Sequence, residues 1–310
     1  YVIEVLPGVY NEDPMTIPQY VTVVALGERT VLTPKSSSQD FVRLTNSADW
    51  FGATINGPAS GTAMKVLPGQ NRTVIRDAIF KNAQAGVKLE TNSSASFYNS
   101  LFDSNNTGFK RDGEGVLELF ACSILGCVTG SAIGAGLVDN GANIYRNCQK
   151  AIHLSGTAQY TFSGGTILDC GDGIYLTGSS KLEGRSVLVS GSSNLDLNQN
   201  SSGSIVNFSG QASSDRLHIS DPDKFTAQYI DVSGDDTGVK TIGINEVGIP
   251  ELGNSTTIGE GGNYTRGMRV YQSSSAGGFQ EITDSATDLS SGTFSFPSNA
   301  ISSSLYFSSD

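Results

Sequence analysis

A short pattern of residues returns about every 22 positions between roughly residue 20 and residue 210. Each copy alternates apolar and polar residues after one or two small ones, as in AGVKL at Ala85–Leu89. The spacing between clear copies stays close to one period, except for one double interval that spans a weakly defined unit. The copies are Ala85–Leu89, Thr107–Arg111, Lys150–Leu154, Asp172–Leu176 and residues 193–197, and residues 41–44 and 63–66 continue the series upstream.

One unit of this length is too small to bury a core of its own. Within a unit, three short apolar runs are separated by small polar turns, as around Val87, Phe97 and Phe102, so each unit predicts three strands. Units stacked about 4.8 Å apart would pair each strand with its copies above and below. The repeat therefore predicts a parallel β-helix, right-handed by the usual chirality of parallel connections.

A second set of residues keeps the same period. Its members recur once in each unit and are Asn105, Cys127, Cys148, Cys170 and Ser192. Because a ladder of similar small side chains is typical of a coil interior, we interpret them as small side chains stacked inside the coil, with free thiols rather than metal ligands. Stacked cysteines fall within disulfide range, which leaves oxidation of one pair open. Cys122 lies outside this column and is interpreted as a buried small residue.

The composition favours strands over helices and excludes some classes of function. Charged residues make up only 16% of the chain and 37 residues are glycine, a mixture typical of short strands and turns. Thirty acidic against nineteen basic residues give a net charge of −11, which argues against nucleic-acid binding. The sequence contains no run of about eighteen apolar residues, the length that a membrane-spanning helix needs. No cofactor motif is present, and calcium binding at Asp231, Asp235 and Asp236 is left open.

The period ends after residue 210, so we predict two domains. Residues 1–212 form the β-helix, and residues 213–310, with alternating runs between Gly, Ser and Asn turns, form a β-sandwich-like C-terminal domain. Open ends of a β-helix expose unpaired strand edges. We expect the second domain to cover one end, and earlier sequence or another chain to cover the end at Tyr1.

The opening of the chain carries a family resemblance. Residues 2–32 resemble the start of pectin-lyase-like right-handed β-helix proteins, which include pectinesterases, pectate lyases, polygalacturonases and phage tailspikes, and the resemblance covers about residues 1–210. Pectinesterases have a similar motif at the positions of Pro7, Gly8, Tyr10 and Glu12, but their catalytic signatures are absent here. Residues 259–272 resemble terminal modules of marine phage structural proteins. The tailspike resemblance implies a homotrimer.

Basic residues occupy the outward position of successive first strands. Arg43, Lys65, Lys88 and Lys110 stack in this column, and Ser131, His153, Tyr175 and Asp196 are expected to continue it. Rungs about 5 Å apart place like charges close together, which is unfavourable unless an anion or an acidic partner compensates them. In family relatives this strand face holds substrate, so an anionic glycan is one interpretation. Neutralisation by Glu90 and Asp112 is the other.

Three residues are candidates for catalysis. Glu90 and Asp112 stand one period apart, so they should lie on adjacent rungs, near the separation of about 5–5.5 Å that retaining glycoside hydrolases use. Salt bridges to Lys88 and Lys110 explain them equally well. His153 beside Tyr175 could bind sugar or act as an acid, but a solitary exposed histidine is commonly plain surface.

We therefore predict a structural virion protein of a marine phage, located in the tail or baseplate and resembling a tailspike. Its partners would be other virion proteins, copies of itself and a host-surface polysaccharide. The first alternative is a polysaccharide lyase or glycoside hydrolase acting on an acidic glycan. The second is a secreted bacterial β-helix adhesin.

Overall fold

The computed structural model describes residues 1–26, 29–69, 71–201 and 203–207 with their side chains, and from residue 208 onward only the backbone of strand segments. The described chain is all-β and winds into a parallel β-solenoid of about nine turns, with roughly 22 residues in each turn. This confirms the predicted fold class. Within the described residues, no helix is both long and apolar enough to cross a membrane.

Each turn contributes one strand to each of three columns. The first column is a ten-stranded parallel sheet. Its strands are β3 (Met15–Ile17), β6 (Val42–Leu44), β9 (Thr62–Val66), β12 (Ala85–Leu89), β15 (Thr107–Arg111), β18 (Thr129–Ile133), β21 (Lys150–Leu154), β24 (Asp172–Leu176), β26 (Leu197–Gln199) and β28 (Leu217–Ile219).

The other two columns belong to one nineteen-stranded sheet because the long strand β25 (Lys181–Ser190) runs through both of them. The second column consists of β1 (Val2–Val5), β4 (Thr22–Ala25), β7 (Asp49–Phe51), β10 (Thr73–Arg76), β13 (Ala95–Tyr98), β16 (Val116–Phe120), β19 (Leu137–Gly141) and β22 (Gln159–Ser163). The third consists of β2 (Gly8–Glu12), β5 (Thr30–Pro34), β8 (Thr54–Asn56), β11 (Ile79–Lys81), β14 (Leu101–Asp103), β17 (Ser123–Leu125), β20 (Ile144–Arg146) and β23 (Thr166–Leu168). Beyond β25, β27 (Ile205–Ser213) and β29 (Phe225–Asp231) extend the sheet.

Alternation within each strand divides its residues between core and surface. In β12, Val87 and Leu89 are buried while Lys88 between them is half-buried at the surface. Val87 pairs with Phe109 on the next rung, and Lys88 pairs with Lys110. Because the strands are parallel and in register, one position of the repeat becomes one column of side chains along the whole solenoid.

The core changes character along its length. In the middle turns it is aromatic: the rings of Phe102 and Phe109 have centroids 3.9 Å apart, and Phe97 and Phe109 meet edge to face at 5.1 Å. One turn further, buried hydroxyls take over, since Tyr145 Oη lies 2.8 Å from Ser131 Oγ and 3.0 Å from Tyr160 Oη. These hydroxyls partner one another, which is what burial of polar groups requires.

The cysteine column is confirmed as a stack inside the coil. All four cysteines are buried free thiols. The Cys148 thiol contacts both neighbours in the column, and hydrogen bonding with Cys127 together with burial raises the pKa of Cys148 to about 12. Burial raises the pKa of Cys122, which lies outside the column, to about 11. The raised pKa values make the Cys148 and Cys122 thiols poor nucleophiles, whereas hydrogen bonding to Cys148 lowers the pKa of Cys127.

Glycines mark where neighbouring turns approach most closely in the first column. A Cβ at Gly108 would lie 2.5 Å from the carbonyl oxygen of Gly130, and one at Gly130 would overlap the carbonyl oxygen of Ala151. These glycines therefore fix the position of the first column relative to the core.

Parallel pairing continues past the predicted domain boundary at residue 212. Strand β26 pairs with β28, and β27 pairs with β29, which ends at Asp231. Later strands pair antiparallel: β30 (Thr241–Ile244) with β31 (Pro250–Gly253), β32 (Thr257–Ile258) with β35 (Phe294–Ser295), and β33 (Met268–Ser274) with β34 (Gly278–Glu281) and β36 (Leu305–Ser309). Asp235, Asp236 and most of residues 259–272 lie outside the described residues.

Candidate glycan-contact face

The outer face of the first column brings together the basic residues that the repeat aligned. Arg43 pairs with Lys65, Lys65 with Lys88, and Lys88 with Lys110 on consecutive rungs. Each occupies the outward position between two buried residues, and we call these four residues the basic ladder. The predicted register is therefore correct over four turns.

Carboxylates lie beside the ladder, and their shortest ion pairs are with Lys65. Lys65 Nζ lies 2.6 Å from Glu90 Oε1 and 3.1 Å from Asp40 Oδ2. Its contact with Glu90, despite some burial, raises the pKa of Lys65. Burial opposes ionisation of Asp40, but hydrogen bonds from Thr62 and Lys65 outweigh it and lower the pKa of Asp40. Lys65 is thus already neutralised by two acids.

The other three cations of the ladder have longer ion-pair distances or no ion pair. Lys88 Nζ stands 4.0 Å from Glu90 Oε1, and Lys110 Nζ stands 3.6 Å from Asp112 Oδ2. Arg43 is exposed and forms no ion pair with any side chain that the structure describes. Acidic side chains therefore neutralise part of the ladder charge, as one interpretation of the sequence predicted. Glu90, however, lies closer to the ammonium group of Lys65 than to that of Lys88. Arg43, Lys88 and Lys110 still present charge to the solvent.

The fifth position of the ladder differs from the prediction. Lys110 pairs with Ala132, and Ala132 with His153, so Ala132 occupies the outward position. Ser131 pairs with Phe109 and Ile152, faces the core and is fully buried, so its assignment to the surface was wrong. The physical reason is that Ser131 belongs to the buried hydroxyl network with Tyr145.

On the turns that follow Ala132 in the chain, four polar or aromatic side chains lie together on the outer face. We call them the Tyr175 cluster: Lys150, His153, Tyr175 and Asn200. His153 pairs with Tyr175 on the next rung, and their rings meet edge to face at 5.2 Å. Lys150 Nζ lies 4.0 Å from the centre of the Tyr175 ring, and Asn200 Nδ2 donates to Tyr175 Oη at 2.7 Å. The Tyr175 ring is thereby held by the Lys150 ammonium, the His153 ring and a hydrogen bond to its hydroxyl.

The cluster keeps His153 in its neutral form. Burial, and then the nearby Lys150 ammonium, lower the pKa of His153 below its ordinary value of 6.5. A neutral imidazole offers one hydrogen-bond donor and one acceptor at physiological pH. The arrangement can therefore bind a polar ligand through His153, but it does not supply a second positive charge there.

The last residue of the predicted column is also displaced. Tyr175 pairs with Asn198, so Asn198 takes the outward position. Asp196 is fully buried, and its Oδ1 accepts a hydrogen bond from the Ser192 amide at 3.3 Å. The assignment of Asp196 to the surface was therefore wrong. Ile174 pairs with Leu197 and not with Leu195, so the unit here is longer than the sequence pattern suggested.

The catalytic candidates lie on this same face. Glu90 and Asp112 each follow the last residue of a first-column strand on adjacent rungs, and each pairs with a ladder lysine. His153 lies two rungs beyond Lys110. Among the side chains that the structure describes, no three His, Cys, Asp or Glu residues cluster as a metal site would require.

Sequence reasoning missed two members of this face, Lys150 and Asn200. Lys150 occupies the first position of β21, upstream of His153 in the same strand, and that placement could have indicated a shared surface. Asn200 lies just after β26, in the unit whose length the sequence pattern misjudged. Its contact with Tyr175 could not be predicted for that reason.

Comparison with known proteins gives likenesses in structure alone. No protein-family profile matches the sequence, and no curated protein matches it. The chain is similar to the enzymatically active domain of tailspike protein 2 of bacteriophage CBA120, with 11% identity and a TM-score of 0.48 over 68% of this chain and 38% of that one.

Two further solved structures show a comparable likeness. Full-length tailspike protein 2 from an Escherichia coli O157:H7 bacteriophage has 10% identity and a TM-score of 0.47, over 68% of this chain and 34% of that one. The catalytic unit of a GH87 α-1,3-glucanase from Streptomyces thermodiastaticus has 11% identity and a TM-score of 0.40, over 68% of this chain and 56% of that one. The chain thus spans only about a third to a little over half of these proteins.

The fold, a parallel β-solenoid with three strands in each full turn, fits the pectin-lyase-like resemblance of the sequence.

Proposed function

We propose that this chain is a phage tailspike-like protein whose solenoid is a rigid shaft and whose basic ladder contacts an acidic polysaccharide on the host surface. The observation that carries the proposal is the stacking of Arg43, Lys65, Lys88 and Lys110 on consecutive rungs of one face. A linear polyanion can follow such a column, because its charges would meet an available cation on three of the four turns, at Arg43, Lys88 and Lys110. A location in the phage tail and assembly as a homotrimer belong to the same proposal.

The remaining contacts of the face fit a glycan of moderate charge. Asp40, Glu90 and Asp112 offset most of the ladder charge, so binding depends on Arg43, Lys88 and Lys110. Further along the column, His153, Tyr175 and Asn200 offer hydrogen-bonding groups instead of charge. Acidic sugars at the ladder and neutral sugars at the Tyr175 cluster would match this arrangement.

A binding experiment tests the proposal. Alginate and an acidic bacterial capsular polysaccharide serve as probes, with neutral dextran as the reference. The double variant Lys88→Ala/Lys110→Ala should weaken alginate binding by about tenfold, since each surface contact is worth up to roughly 1 kcal/mol. Lys81→Ala/Lys181→Ala removes the same charge from other columns and should change the affinity less than about twofold. Equal losses in the two variants would contradict contact at the ladder.

The same samples distinguish binding from catalysis. Reducing ends and unsaturated products are measured after prolonged incubation with each polysaccharide. The proposal expects no product. Product formation that Glu90→Gln or Lys88→Ala reduces would replace it with the alternative of a polysaccharide lyase or glycoside hydrolase, provided that circular dichroism shows both variants to be folded.

A further inference from the structure

The outer face of the second column carries an arginine and two aromatic rings on three consecutive rungs. Arg76, the last residue of β10, pairs with Tyr98, and Tyr98 pairs with Phe120. Arg76 is exposed, and the two rings are half-buried. We call these three residues the Arg76 stack.

Contacts along the solenoid axis hold the stack together. Arg76 Cζ lies 4.5 Å from the centre of the Tyr98 ring. The Tyr98 and Phe120 rings stack with their centres 5.7 Å apart and 15° between their planes. Phe120 in turn leans over Gly141 on the next rung, where a Cβ would lie 2.7 Å from Phe120 Cδ1. The small residue at that rung therefore leaves the space that the ring occupies.

The charge of Arg76 has no partner among the described residues. Its guanidinium forms no ion pair and no side-chain hydrogen bond with any of them. Asp77, the acid that follows it in the chain, is exposed and does not pair with it. Contact with a ring face uses the charge of a guanidinium but none of its five N–H donors. Tyr98 therefore positions Arg76 while leaving its donors available to a ligand.

The acids on the same face leave this charge uncompensated. Glu118, at the neighbouring outward position, forms an ion pair with Arg72 and accepts a hydrogen bond from Ser96 Oγ at 3.2 Å. Asp139 pairs with Glu118 on the next rung and stands three rungs from Arg76, about 14 Å along the axis. That separation exceeds the Debye length of about 10 Å at moderate salt. An anion at Arg76 would thus meet little repulsion from either acid.

The chemistry of the stack indicates the class of ligand. The planar fork of a guanidinium matches the two oxygens of a carboxylate. The partly exposed rings of Tyr98 and Phe120 offer apolar surface beside that fork, which suits the C–H groups of a sugar ring. Three side chains cover far less than the roughly 800 Å² per partner that a stable protein interface buries. The stack therefore suits one sugar unit and not a protein.

We propose that the Arg76 stack is a binding site for one carboxylated sugar, in which Arg76 binds the carboxylate and Tyr98 is a positioning residue. The site lies on the second column, whereas the basic ladder lies on the first. It is therefore a second site, and it does not depend on binding at the glycan-contact face.

Titration of the full chain with two matched sugars, followed by NMR, tests the ligand class. Methyl glucuronide and methyl glucoside share one ring and differ in the carboxylate. The glucuronide should bind about fivefold more tightly, the value of one charged contact at the surface. Equal affinities for the two sugars, or no binding of the glucuronide, would overturn the proposal.

Single variants then locate the site. Arg76→Ala should lower the affinity for the glucuronide to that for the glucoside. Tyr98→Leu should weaken glucuronide binding about threefold, whereas Tyr98→Phe keeps the ring and should retain the affinity, which separates positioning from a general loss of structure. Circular dichroism checks that each variant is folded.

Two controls remove positive charge elsewhere. Arg185 occupies the same outward position further along the second column, since Gly141 pairs with Ser163 and Ser163 with Arg185. Arg185→Ala and the ladder variant Lys88→Ala/Lys110→Ala should each change glucuronide affinity less than about twofold. Loss of binding in the ladder variant with unchanged binding in Arg76→Ala would overturn the second site and leave the proposed ladder contact intact.

Discussion

Neighbouring residues of one strand face opposite sides of the wall, so the same substitution should have opposite consequences at adjacent positions. Val87 is fully buried between Met64 and Phe109, whereas Lys88 points outward. The sequence pattern predicted this division because apolar and polar residues alternate in each clear copy of the repeat. It could not predict which outward residues form ion pairs, since those contacts depend on side-chain conformation.

We expect Val87→Asp to destabilise the solenoid by several kcal/mol, because it buries a carboxylate without a partner. Lys88→Asp introduces the same side chain at the adjacent position and should cost about 1 kcal/mol or less, because that position is at the surface. Thermal unfolding followed by circular dichroism measures both. Similar melting temperatures for the two variants would show that the assignment of inside and outside is wrong.

The Asp40–Lys65 contact should make stability depend on pH in the acid range. The folded state lowers the pKa of Asp40 below 3.8, so its contribution is complete above that value and is lost as the pH falls through the folded pKa. Because both side chains are partly exposed, the contribution is about 1 kcal/mol at most.

The test compares melting temperatures of the wild-type protein and Asp40→Asn between pH 6 and pH 2.5. The difference should be about 2–4 °C at pH 6 and should become smaller toward pH 2.5. A difference that stays constant across this range would mean that the Asp40 charge contributes nothing.

At the scale of strands, the pairing register could be predicted wherever the repeat is clear. The prediction was wrong where the repeat is weak. The ladder and the cysteine column could be predicted because residues spaced by one constant period lie at the same position on successive parallel strands. Ser131 was misplaced because its segment, TGSAI, carries no strong apolar alternation. Aligning Gly130 with Gly86 and Gly108 would have put Ala132 outside. Asp196 was misplaced because the loop before β26 changes the length of its unit.

The aromatic stack is the element on which the middle turns depend most. We expect Phe109→Ala to cost about 3–5 kcal/mol, since it leaves a cavity beside Phe97 and Phe102. Phe120→Ala is the matched control, because Phe120 stacks on Tyr98 at 5.7 Å on the outside of the wall. That variant should lose about 1 kcal/mol. Chemical denaturation measures both values, and equal losses would contradict the aromatic core.

For the molecule as a whole, the homotrimer implied by the tailspike resemblance stays a prediction. On the outer face of the third column, Ile144 and Leu188 are 45% and 41% exposed, and both pair with Thr166 on the rung between them. Light scattering should give three times the mass of a single chain for the wild-type protein. Ile144→Asp/Leu188→Asp should reduce the mass to that of a single chain. A single-chain mass for the wild-type protein would contradict the trimer.

The functional account rests on one face of the solenoid meeting the glycan, and lysine labelling tests it most directly. The folded protein is acetylated briefly with and without alginate, and the modification of each lysine is measured by mass spectrometry. Lys88 and Lys110 should be protected several-fold by alginate, while Lys81 and Lys181, on the other two columns, should be labelled equally in both samples. Equal labelling of all four lysines, or protection of Lys81 and Lys181 alone, would contradict the account.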